Sequence, residues 1–265
     1  MKLEGKTIIV TGSGTGIGKA IAKLCTQEGA NLVISDKDEA LANKTVQELG
    51  PDQAFAHIQD LTEEGCATEL IALAKERFGR IDGLVNNAAF VTWSDIESTD
   101  PDYFRKVLDV NLVAPLSLIQ AALPDLKANK GSIVNIGSVN AHCGEPKLLA
   151  YSASKGALTT LTRNLGDSLM QEHGVRVNQV NPGWVLTENE AARKQEHGLK
   201  EDWYKDLPKK FAPAGRIFKP IEIASTVVHL LSSDCGPVSG QVFDLEQYPM
   251  IGRNPPKDDE TVPQK

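Results

Sequence analysis

Seven short runs of β-branched and apolar residues recur along this 265-residue chain, each followed by a longer stretch with helical periodicity. The runs are Thr7–Val10, Asn31–Ser35, Ala54–Ile58, Gly83–Asn86, Ser132–Ile136, Val175–Val180 and Gln241–Asp244. Between the first two, Ile17, Ala20, Ile21, Leu24 and Cys25 recur at three- and four-residue steps, marking one buried helical face. Leu158, Leu161, Leu165 and Leu169 repeat that spacing, and Pro220 stands where a first helical turn begins, ahead of Ile221, Ala224, Val227, Val228 and Leu231. Strands separated by helices require right-handed crossovers, which make a sheet parallel and cover both its faces. The pattern predicts one doubly wound α/β domain over residues 1–247, with a seven-stranded, mostly parallel sheet and helices on both faces. Two stretches break the rhythm. Residues 188–213 are polar and punctuated by Trp203, Tyr204 and Phe211, which predicts a lid with marginal helices. Residues 248–265 carry four prolines and many charges, which predicts an extended or partly disordered tail.

Composition narrows the partners. The formal charge is −7 and no basic cluster exists to displace counterions from a nucleic acid, so none is expected as a partner. No run approaches the roughly 18 apolar residues of a membrane span. The N-terminus runs straight from Lys6 into Ile8-Ile9-Val10, leaving no room for a signal-peptide apolar region, so a cytoplasmic location is expected. The four cysteines, Cys25, Cys66, Cys143 and Cys235, lie far apart without metal-ligand spacing; reduced thiols and no metal site are expected.

After the first run comes Thr11-Gly12-Ser13-Gly14-Thr15-Gly16-Ile17-Gly18, opening the first helix. Glycines here let the backbone turn tightly and approach a pyrophosphate, whose charge sits against the helix N-terminus. Asp36 ends the second run 18 residues beyond Gly18, close to the spacing of a carboxylate that bonds an adenosine ribose. Such a carboxylate accepts from both ribose hydroxyls and repels a 2′-phosphate, so NAD is favoured over NADP. Lys37 weakens the discrimination, and Asp36-Lys37-Asp38 also reads as a solvated turn and helix cap.

Tyr151 and Lys155 are four residues apart at the start of a helical pattern, so the phenol and the ammonium share one face. A free phenol, with a pKa near 10, is too weakly acidic to serve as a base at neutral pH, and a nearby positive charge favours its ionised form. Ser138 follows the fifth strand at the carboxyl edge, where open α/β sheets bind ligands. Its hydroxyl is placed to hold a substrate oxygen while Tyr151 moves the proton and hydride passes between substrate carbon and nicotinamide. Alone, a Tyr/Lys pair at this spacing is as well explained by a solvated helix face; joined to the glycine turn it points to hydride transfer. The reading fails if the Tyr151 ring turns from the nucleotide crevice or lies more than about one water bridge from Ser138.

Taken together, Thr-Gly-x-x-x-Gly-Ile-Gly at 11–18, Asn86-Asn87-Ala88-Ala89, Asn111, Ser138, Tyr151-x-x-x-Lys155 and Pro182-Gly183 resemble the ordered motifs of classical short-chain dehydrogenases/reductases, from about Leu3 to Asp244. The resemblance implies a Rossmann-type domain, a catalytic tetrad of Asn111, Ser138, Tyr151 and Lys155, and a homotetramer or dimer. It implies that Lys155 also bonds the nicotinamide ribose and that Asn111 holds a relay water; on its residues alone, Asn111 reads as a buried amide bonded to a helix irregularity. It carries cofactor contacts onto Gly12, Ser13, Gly14, Thr15, Gly16, Ile17, Gly18, Asp36, Asp60, Leu61, Asn87, Ala88, Tyr151, Lys155, Pro182, Gly183, Val185 and Thr187. Asp60 and Thr187 also read as helix or lid caps. The chain departs from the family at Ala89, usually glycine, and at Asp244-Leu245-Glu246, usually Asp-Gly-Gly.

Substrate contacts are expected from Ser138, Asn140, Cys143, Tyr151 and Trp184, with Trp93, His142, Glu145, Glu188 and Asn189 nearby. His142 also reads as a loop histidine and Trp184 as packing. These polar groups suit a sugar or polyol. The function expected is thus NAD-linked oxidation of a small secondary alcohol. Its rivals are an NADP-linked ketone or 3-oxoacyl reductase and a catalytically silent nucleotide-binding scaffold. A Rossmann-like methyltransferase gives no reason for the Tyr/Lys pair.

Overall fold

The structure, a computed structural model, describes residues 1–196, 198–205, 207–209 and 212–249. Its strands are β1 (Thr7–Thr11), β2 (Asn31–Asp36), β3 (Ala54–Ile58), β4 (Gly83–Asn86), β5 (Ser132–Ile136), β6 (Arg176–Pro182) and β7 (Val242–Leu245). They form a seven-stranded sheet in the order β3-β2-β1-β4-β5-β6-β7. Every pairing is parallel, so the sheet is wholly parallel rather than mostly so. β1, β2, β6 and β7 end one or two residues later than their hydrophobic runs, because Thr11 still pairs with Ser35 and Pro182 with Leu245, while β6 and β7 also begin one residue later.

The helices are α1 (Gly16–Gln27), α2 (Glu39–Leu49), α3 (Cys66–Phe78), α4 (Pro101–Leu108), α5 (Ala114–Asn129), α6 (Asn140–Cys143), α7 (Leu149–His173), α8 (Glu188–Glu196) and α9 (Pro220–Leu231). Strand alternation divides the core between the two faces of the sheet. Ile8, Val10, Leu32 and Ile34 pack with Ile21 and Cys25 of α1, Ala42 of α2, and Ile223, Val227 and Leu230 of α9. Ile9, Val33, Leu84, Ile133 and Val177 turn the other way, onto Leu70 of α3, Leu118 and Leu126 of α5 and Leu169 of α7. Each of these fully buried aliphatic side chains contributes about 1.5–3 kcal/mol of transfer free energy.

α9 ends against Arg176. That guanidinium donates to the carbonyls of Leu230 (2.6 Å) and Ser232 (2.9 Å), satisfying the last turn and placing a cation at its negative pole. Between α4 and α5 the chain widens into a π turn at Asp109–Val113. The continuous rod Pro101–Asn129 includes a window of mean hydropathy 1.5, enough by length and composition alone to cross a membrane. Here it packs on α3 and α7 as part of the fold.

Candidate active site

β1 and β4 are neighbours, but their onward connections leave in opposite directions, opening a crevice at their carboxyl ends. The glycine turn occupies one wall. Gly12 and Gly16 have φ of +60° and +57°, which side chains disfavour. A Cβ on Gly18 would stand 2.3 Å from the Gly12 carbonyl oxygen, so only glycine lets the helix close on the turn. Asn87 braces this geometry: its Nδ2 donates to the carbonyls of Thr11 (2.9 Å) and Gly12 (3.0 Å). Thr11 Oγ1 in turn accepts the Asn87 and Ala88 N–H groups, both at 3.0 Å. Ser13 faces inward, fully buried, with its hydroxyl on the Val10 carbonyl at 2.7 Å and its N–H on the Ser35 carbonyl at 3.3 Å.

Asp36 ends β2 beside the turn. One carboxylate oxygen accepts from Gly14 N (2.9 Å) and the other from Asp38 N (3.1 Å), which fixes its orientation. Asp38, not Asp36, caps α2, accepting Leu41 N at 3.0 Å. Asp60 accepts the Thr62 N–H and hydroxyl (3.0 and 2.8 Å), and these bonds hold its carboxyl below the usual range. Leu61 and Ile17 are half-buried against the two core layers. Pro182 and Gly183 lie at the end of β6, Val185 is buried and bridges to Phe218, and Thr187 Oγ1 accepts Glu190 N (3.1 Å) as a lid cap would.

A dinucleotide fits this wall. α1 opens with no side-chain cap and no acid in its own first turn, so its amides present positive charge. A carboxylate has already been drawn to them: Glu188 Oε2 accepts from Gly16 N (3.2 Å) and Thr15 Oγ1 (3.3 Å).

The opposite wall carries the titratable groups. Tyr151, in the first turn of α7, has its phenol beside the Ser138 hydroxyl beyond β5, which favours the ionised phenol. Ser138 Oγ accepts the Asn140 N–H at 3.2 Å, which leaves its own proton for the phenol oxygen. Lys155, one turn further along α7, is 2% exposed; its ammonium donates to the Ile136 carbonyl (2.7 Å) and lies 5.7 Å from the Tyr151 ring centroid. Burial lowers the Lys155 pKa to about 8, so the ammonium stays charged at pH 7. Burial pushes the Tyr151 phenol up to about 12, an effect the Ser138 bond partly opposes. Asn111 lies in the π turn. Its Oδ1 accepts Phe90 N (2.7 Å) while its Nδ2 donates to the Phe90 carbonyl (3.1 Å) and to Ser154 Oγ (3.0 Å). Ser154 in turn donates to the Tyr151 carbonyl at 2.7 Å, so Asn111 ties the π turn to the tyrosine's own helical turn.

Residues absent from the motif pattern support Ser138. Asn181 Oδ1 accepts the Ser138 N–H (3.1 Å), and Asn181 Nδ2 donates to Asp244 (2.9 Å), which also pairs with His142 Nε2 (2.8 Å). His142 sits on α6, just past Ser138, so this ring of contacts holds the serine loop from both ends. Asn140 donates to Glu145 (3.2 Å), and Cys143 is exposed. Trp184 is locked within the lid, donating to Glu190 (2.8 Å) and stacking on Trp203 at 5.1 Å, with Lys194 over both rings. Phe211, also expected in the lid, lies outside the described residues, as does the tail beyond residue 249.

A glycine turn at the switch point facing a Tyr/Lys/Ser cluster defines a nucleotide-dependent oxidoreductase of Rossmann architecture. The family model described as Enoyl-(Acyl carrier protein) reductase matches residues 12–246. The L-fucose dehydrogenase of Bos taurus is 36% identical over 243 residues, covering 87% of this chain and 84% of its own. Among solved structures, a short-chain dehydrogenase/reductase from Brucella melitensis, described as a glucose/ribitol dehydrogenase, superposes with a TM-score of 0.83 at 32% identity, over 92% of this chain and 96% of its own. A 3-ketoacyl-(acyl-carrier-protein) reductase of the same organism, complexed with NADH, gives 0.81 at 28% identity, over 92% and 97%. This chain belongs to the short-chain dehydrogenase/reductase family, enzymes that act on alcohol groups with a nicotinamide cofactor.

Proposed function

We propose that the chain is an NAD-dependent dehydrogenase that oxidises a sugar or polyol hydroxyl in the cytoplasm, working as a homotetramer like much of its family. The observation that carries the chemistry is the Ser138 hydroxyl directed at the Tyr151 phenol with a buried ammonium beside the ring. Ser138 orients the substrate oxygen, and Tyr151 removes its proton. Lys155 supplies the positive charge that a desolvated phenol needs to ionise, and it bonds the nicotinamide ribose. The nicotinamide, when bound, accepts the hydride. Asn111, with its amide engaged by Phe90 and Ser154, holds the π turn that lines the proton relay from Lys155. Gly12 to Gly18 cradle the pyrophosphate, and Asp36 takes the adenosine ribose. Its fixed carboxylate supports NAD, because a 2′-phosphate there meets like charge. The sugar or polyol assignment is supported by Asn140, His142 and Glu145 beside Ser138, and by the names of two relatives.

Screening sugars, polyols and simple alcohols for NADH formation tests the proposal. Tyr151→Phe should leave NAD affinity unchanged and cut turnover by roughly 10²–10⁴-fold. Unchanged turnover would remove Tyr151 as the base. A second reading, reduction of a carrier-linked ketone with NADPH, draws on the names of the matching family model and of the second solved structure. Fluorescence titration separates the two, since tighter binding of NADPH than NADH would favour the reductase.

A further inference from the structure

The only anion touching the α1 N-terminus among the described residues comes from the lid. Glu188 is the first residue of α8, and its carboxylate reaches 172 positions back to Gly16 N (3.2 Å) and to Thr15 Oγ1 (3.3 Å). The neighbouring Thr187 side chain closes over the same glycine, its Cγ2 lying 3.4 Å from where a Gly16 Cβ would stand. No residue of α8 is fully buried; beside this contact to the glycine turn, its first turn is held by Glu190, which accepts from Trp184 and whose N–H donates to Thr187.

We propose that Glu188 is a determinant of cofactor binding: an internal competitor that occupies the pyrophosphate position and must leave when a dinucleotide arrives. The inference rests on the dinucleotide reading of the glycine turn and goes beyond it. One backbone N–H cannot serve a carboxylate and a phosphate oxygen together, and the two anions repel at that distance. Without nucleotide, the carboxylate satisfies an otherwise unpaired helix-terminal amide and keeps the turn ordered. With nucleotide, the first turn of the lid loses its tie to α1 and becomes available to the substrate side.

The test is calorimetric binding of ADP-ribose, which carries the pyrophosphate, and of adenosine, which does not, to the full chain. Glu188→Gln and Glu188→Ala should bind ADP-ribose about two- to fivefold more tightly than wild type, the range expected for one charge at an exposed helix terminus. Adenosine affinity should not change. Glu196→Gln, which removes the same charge from the far, exposed end of α8, should match wild type with both ligands. Equal or weaker ADP-ribose binding by both Glu188 variants would overturn the proposal, as would the same gain in Glu196→Gln or for adenosine. Failure of the wild type to bind ADP-ribose at all would instead overturn the dinucleotide reading on which the proposal stands.

Discussion

Lys155 shows most directly what function costs in stability. Its ammonium is buried against one carbonyl, and burial lowers its pKa from the ordinary 10.5 to about 8. A lysine whose folded-state pKa is depressed favours folding fully only above its unfolded pKa, near 10.5. As pH falls below 10.5 the buried lysine increasingly opposes folding, and the penalty is complete below about 8. Lys155→Met should therefore stabilise the cofactor-free protein at pH 7 by on the order of 2 kcal/mol, the shift less the lost carbonyl bond. The gain should shrink toward pH 10.5 in parallel urea melts at the two pH values, while turnover collapses. A variant less stable than wild type at pH 7 would show that the ammonium is better solvated than its burial indicates. The Tyr-x-x-x-Lys spacing was readable in the chain; the depth at which the ammonium lies was not, because burial is set by α7 packing beneath β5, far away in sequence.

Among the elements, the π turn links the two walls of the site. Asn111 spends every polar atom of its amide on Phe90 and Ser154. Asn111→Leu leaves the Phe90 N–H and carbonyl and the Ser154 hydroxyl each short of a partner. It should cost about 2–4 kcal/mol in chemical denaturation, since each buried group left unpaired costs roughly 1–3 kcal/mol. Turnover should fall as well, and rescue by Asn111→Asp at Phe90 N alone should be partial. Strands were legible to within two residues because alternating burial writes itself into local pattern. The π turn was expected only as an irregularity, since one extra residue in a helix leaves no periodic trace in Asp109-Val110-Asn111-Leu112-Val113. The resemblance makes Asn87 a cofactor contact; the structure adds that its amide braces Thr11 and Gly12, a contact between residues 75 and 76 positions apart that no window along the chain contains. The Asn181–Asp244–His142 support for Ser138 was illegible for the same reason.

At the scale of the whole molecule, every neighbouring strand pair is parallel, and none forms from a hairpin. β1 meets β4 by pairing Ile8 with Gly83 and Val10 with Val85. The apolar alternation that set the two core layers was visible in the sequence, but the strand order was only implied by the βα rhythm and the family resemblance. A consequence follows for synthesis on the ribosome. The glycine turn lies within the first 18 residues, yet the side chain that holds its carbonyls arrives at position 87, and β4 arrives just before it. A fragment of residues 1–80 should thus show no ADP-ribose binding by calorimetry, despite containing the whole glycine-rich segment, and addition of the remaining chain should restore it. Nascent protein must travel through a long nucleotide-blind interval, in which the cofactor cannot act as a folding aid and the β1 edge that β4 later covers stays open.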